Sequence, residues 1–78
     1  MYPNPFTTTL TVSYENSGRG DAHIRLYDSL GRERFRSEVP ALTNTLELGG
    51  LPAGVYFYEV REGDVLVKGG KVVKVEGF

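Results

Sequence analysis

Apolar and polar residues alternate with a period of two over several short stretches of this chain, and no convincing helical periodicity interrupts them. Residues 8–14, TTLTVSY, set Leu10, Val12 and Tyr14 on one side and Thr9, Thr11 and Ser13 on the other, which predicts a half-buried strand. Residues 22–28, AHIRLYD, repeat the pattern with Ala22, Ile24 and Leu26 inward, and residues 32–38, RERFRSE, read as the return strand. TLEL (45–48) is a short strand with Leu46 and Leu48 inward, and VYFYEVR (55–61) carries the strongest strand signal. The last strand, residues 65–76, is interrupted by Gly69–Gly70, a pair that marks a bulge or bend.

The intervening segments are turn-like. ENSGRGD (15–21), DSLG (28–31), VPALTN (39–44), GGLPAG (49–54) and EGD (62–64) supply the breaks, with Asp28 bonding its own backbone and Gly31 free to take positive φ. Six or seven short strands at this spacing predict an all-β fold, a small antiparallel immunoglobulin-like β-sandwich. Leu51, Gly54 and Tyr56 stand at the L-x-x-G-x-Y spacing of a tyrosine corner, whose hydroxyl bonds backbone a few residues upstream. That spacing turns Tyr56, Tyr58 and Val60 to the core and Val55 and Phe57 outward. Ahead of the first strand lies YPNPF (2–6), where Pro3 and Pro5 cannot donate ladder hydrogen bonds. It reads as a stiff lead-in outside the sheets, with Phe6 the first side chain anchored in the core.

Composition narrows the chemistry. The 78 residues suffice for one domain, and the formal charge of −1 lacks the basic surplus of a nucleic-acid binder. Without cysteine there is no disulfide, thiolate nucleophile or cysteine zinc site. No run is long enough to span a bilayer as a helix, and residues 1–15 lack the charged leader and apolar block of a signal peptide. An export leader, if the protein is exported, therefore belongs to a longer chain.

The single histidine, His23, sits beside Arg25 in a strand and reads as a solvated strand residue rather than a catalytic base. Glu62 and Asp64 share a turn, but two carboxylates fall short of the six to eight oxygens that calcium takes, so they read as solubilising. RGD (19–21) is a tripeptide read by some adhesion receptors, but three residues recur by chance and a polar turn explains it well enough. No catalytic residue, metal ligand or cofactor is expected.

Arg32, Arg34 and Arg36 alternate along one strand, and a tight hairpin would set Arg34 opposite Arg25. Like charges across a ladder call for acidic neighbours, with Glu47 and Glu59 the candidates. Arg32, Arg34 and Arg36, with the outward Val55 and Phe57, are the candidate partner surface.

Four blocks, in order, resemble the type A C-terminal sorting domain of the type IX (Por) secretion system over essentially the whole chain. They are YPNPF (2–6) with its following strand, IRLYDSLGR (24–32), LPAGVYFYEV (51–60) and GKVVKV (70–75). The resemblance implies a single sorting domain, residues 1–78, in a longer secreted protein of a Gram-negative bacterium. Its N-terminal cargo would pass through the periplasm and an outer-membrane translocon to the surface, and a sortase-like peptidase would cut ahead of the module. Gly31, Leu51, Gly54 and Tyr56 are fold motifs, while Lys71, Val72, Val73, Lys74 and Val75 are the residues expected to be read by the translocon. A terminal edge strand offers unpaired backbone to such a receptor or, weakly, to a second copy, and Lys71 and Lys74 would limit indiscriminate pairing. Gly77–Phe78 extend past the usual family end. The competing expectation is an immunoglobulin- or fibronectin-like accessory or carbohydrate-binding module, although tryptophan, the commonest sugar platform, is absent.

Overall fold

A computed structural model describes residues 1–15, 18, 20–40 and 42–76. Six strands form, β1 (Thr9–Ser13), β2 (Ala22–Tyr27), β3 (Glu33–Glu38), β4 (Thr43–Glu47), β5 (Gly54–Glu62) and β6 (Val65–Lys74). All pairings between these six strands are antiparallel. β1 pairs β4 in one sheet, and the other runs β3-β2-β5-β6.

The period of two creates one core from both sheets. Leu10, Val12 and Leu46 from the smaller sheet join Ile24, Leu26, Tyr56, Val60 and Val72 from the larger, with Phe6, Val39 and Leu48 closing the ends. Burying a large apolar side chain contributes about 1.5–3 kcal/mol, so this cluster holds the sheets face to face. The arrangement is the expected antiparallel sandwich.

Two turns fix its geometry. The Asp28 carboxylate accepts the backbone N–H groups of Leu30 (2.9 Å) and Arg32 (3.0 Å), while Gly31 sits at φ +83°, where a side chain would be strained. The Tyr56 hydroxyl donates to the Pro52 carbonyl four residues upstream, so the tyrosine corner forms as the spacing predicts.

Several expectations require correction. β2 and β3 are not in simple hairpin register. A bulge leaves Arg34 without a cross-strand residue and sets Arg36, not Arg34, opposite Arg25. Glu33 offsets that like-charge pair, 3.0 Å from Arg36 and 3.6 Å from Arg25. Glu59 pairs across from Arg25 as expected, but Glu47 faces Thr9 in the other sheet. β6 runs unbroken through Gly69–Gly70, and its irregularity lies at Val67, between the Val60–Lys68 and Arg61–Leu66 pairs. Glu62 is not a solubilising residue: it lies on the inward side of β5, buried. Arg19 of the RGD stretch, like Gly77–Phe78, falls outside the described residues.

The largest departure concerns YPNPF, which belongs to the sandwich. Tyr2 exchanges both backbone hydrogen bonds with Thr11 of β1 (2.9 and 2.6 Å), while Phe6 pairs with the end of β6. Both peptide bonds into proline are cis. This segment bridges the free edges of two sheets.

Candidate recognition surface

The five candidate residues of the last strand divide by pleat. Val72 and Lys74 point inward and are buried, whereas Lys71, Val73 and Val75 point outward. Lys74 is only 8% exposed, so it does not stand in solvent as a guard of the edge; Lys71 does. Antiparallel register sets Val73 against Val55 and Lys71 against Phe57, and Phe57 in turn faces Tyr27. The outward side is therefore an apolar strip with one lysine in it. Val55 (40% exposed), Phe57 (46%) and Val75 (38%) remain open to solvent.

Val55 also borders a groove between the β2–β3 and β4–β5 turns, with Leu30, Arg32, Arg34 and Pro52 as its other walls. Here Asp28 ties both arginines, 2.9 Å from Arg32 Nε and 3.4 Å from Arg34 Nη1. Burial would push the Asp28 carboxyl up. The hydrogen bonds from Arg32 and Leu30, with the Arg32 charge, outweigh that and hold it below its ordinary value. Two guanidiniums share one carboxylate, which leaves the groove a net positive charge. Of the sequence candidates, Val55, Phe57, Val73, Lys71, Arg32 and Arg34 are thus brought onto one continuous surface. Arg36 instead lines a separate hollow with His23, Arg25 and Glu38.

Beside the strip, the outer edge of β6 is occupied. Phe6 N–H donates to the Val73 carbonyl (2.9 Å), and Val75 N–H donates to the Phe6 carbonyl (2.8 Å). Asn4 completes the pairing through its side chain. Its Oδ1 accepts from Val73 N–H (3.0 Å) and its Nδ2 donates to the Lys71 carbonyl (3.3 Å). The receptor-accessible edge expected at Lys71–Val75 is therefore covered. Sequence reasoning missed Asn4, and the available signal was its type: an amide side chain between two residues that lack N–H can replace a peptide group.

No group of three or more histidine or carboxylate side chains that could hold a metal ion occurs among the described residues, and no helix there is long and apolar enough to cross a membrane. No curated protein matches the chain. A family model described as the secretion system C-terminal sorting domain matches residues 1–75. The last strand, its apolar flank and the covering N-terminal segment all fall within that match, and the chain belongs to this family, whose members are C-terminal sorting signals for type IX secretion to the outer membrane or cell surface.

Proposed function

We propose that the strip formed by Lys71 and Val73 of the last strand and Val75 just past it, with Val55 and Phe57 of β5, is the surface by which an outer-membrane translocon selects this sorting module and its attached cargo. The carrying observation is the register, which places Val73 beside Val55 and Lys71 beside Phe57 on a face left open to solvent. An apolar strip rimmed by charge is the usual form of a protein-docking patch. Arg32 and Arg34 extend it with positive charge, which suits an acidic contact on the partner. On this reading residues 1–78 are one domain at the C-terminal side of a secreted cargo. The route runs through a Gram-negative periplasm, and a sortase-like peptidase separates cargo from module.

The test is a periplasmic reporter fused ahead of residues 1–78 in a host with the secretion machinery. Truncation of the last strand would remove Val72 from the core and confuse unfolding with loss of recognition. The double variant Phe57→Ser/Val73→Ser changes outward residues only. We expect surface-exposed reporter to fall at least about tenfold while the module stays folded by circular dichroism, the loss of two central contacts. Unchanged export of that folded variant sinks the assignment of this strip.

A further inference from the structure

β6 has two edges, and β5 takes one along its length. Pairing in an antiparallel ladder alternates, so Lys71, Val73 and Val75 turn their free backbone groups to the other edge. Four of those groups are satisfied there: the Lys71 carbonyl, the Val73 N–H, the Val73 carbonyl and the Val75 N–H. The partners come from the protein's own Asn4 and Phe6.

The resident segment is a poor strand. Pro3 and Pro5 have no N–H, Tyr2 bonds β1 rather than β6, and Asn4 reaches β6 only through its side chain. Residues 2–5 are exposed, and Phe6 alone is anchored in the core. A regular extended segment would supply the same four hydrogen bonds from its backbone, so replacement is neutral in hydrogen bonding.

We propose that the β6 edge from Lys71 to Val75 is a strand-accepting site, and that Tyr2–Phe6 is its intramolecular ligand. An extended segment of the secretion machinery, carrying a large apolar residue at the place of Phe6, takes over that edge during recognition. This rests on the reading of residues 71–75 as the recognised strand. It adds a mode of recognition: the backbone edge is engaged as well as the outward side chains. The apolar residue is required because withdrawal of Phe6 opens its place in the core.

Two experiments on the full chain test it. The first titrates a labelled synthetic peptide with the sequence of residues 2–8, YPNPFTT, into the wild-type protein and Asn4→Ala. Loss of the two Asn4 bonds weakens the resident ligand, so the peptide should bind Asn4→Ala roughly tenfold more tightly. Bound peptide should slow hydrogen exchange at the Val73 and Val75 amides. Equal binding to both proteins, or binding that leaves those amides unprotected, overturns the site.

The second experiment staples the segment in place. Tyr2 and Thr11 exchange two hydrogen bonds, a pairing that sets their Cα atoms about 5.5 Å apart, within the span of a disulfide. The chain has no other cysteine, so Tyr2→Cys/Thr11→Cys can form only that bridge. The oxidised variant closes residues 2–11 into a loop lying over the β6 edge. Its reporter fusion should be exported at least about tenfold less than the Tyr2→Ser/Thr11→Ser control. Equal export, with the bridge shown to have formed, overturns displacement. Failure of the wild-type fusion to be exported would instead overturn the sorting assignment of the strip, while the peptide titration would still judge the edge.

Discussion

Asn4 does with one side chain what a residue of an added strand does with its backbone: it donates to Lys71 and accepts from Val73. Both groups are exposed enough for water to replace it, so the expected cost of Asn4→Ala is modest, about 1 kcal/mol in urea unfolding. Asn4→Asp keeps the acceptor, loses the donor and should fall between Ala and wild type. An Asp variant as unstable as Ala would show that the Val73 bond carries nothing. Asp28 gives a second residue-level expectation. Its carboxyl is held below its ordinary value, so its ionised form favours the folded state. That contribution is fully present above the unfolded carboxylate range, about pH 4, and is lost as pH falls through the lower folded value. Asp28→Asn should therefore narrow its stability deficit against wild type as pH is lowered from 7 toward 3, while the deficit stays constant from pH 6 to 8. A deficit independent of pH throughout would place the role of Asp28 in turn geometry alone.

At the scale of elements, β6 shows what the sequence could and could not convey. Its existence, its inward Val72 and its outward Val73 follow from period-two alternation, which needs only local pattern. The role of Gly70 does not. Gly70 pairs directly with Tyr58, and a Cβ there would lie 2.8 Å from the tyrosine ring, so the glycine makes room for an aromatic side chain lying across it. At Gly69 the nearest atom to an added Cβ would be the Tyr58 carbonyl oxygen, at 3.4 Å. Gly70→Ala is expected to destabilise by roughly 1–3 kcal/mol through forced displacement of that ring, and Gly69→Ala by clearly less. Equal losses at the two positions in thermal or urea unfolding would remove the ring contact as the reason for the glycine. The Arg34 bulge was hidden for a similar reason. A one-residue slip depends on what both strands face, and neither RERFRSE nor AHIRLYD contains that information alone. The tyrosine corner was legible because its spacing, turn and hydrogen bond lie within six residues.

Across the whole molecule, the N-terminal segment bonds by backbone to both sheets, at Thr11 of β1, at Val73 of β6 and at Val75 just past it. The connection from β3 to β4 also touches both, through Val39 to Ala22 of β2 and through Leu42 to Tyr14 beside β1, and side-chain burial in the core between the sheets supplies the rest. Phe6, fully buried in that core, converts the segment from a lead-in into a tie. The pairing was invisible in the sequence because two prolines argue against a ladder, and the structure satisfies β6 through an amide side chain instead. If the segment is integral, truncation of Phe6 should cost what a core truncation costs, about 3–5 kcal/mol. For a chain of this size that is a large part of the total stability, roughly 0.05–0.15 kcal/mol per residue. Unfolding of Phe6→Ala should accordingly begin at much lower denaturant, with far-ultraviolet circular dichroism and tyrosine fluorescence changing together. A loss below about 1 kcal/mol would mean that the sandwich stands without its tie. Phe6→Leu keeps an apolar group in the site and should recover much of the loss, which separates filling of the core from the backbone bonds that both variants retain.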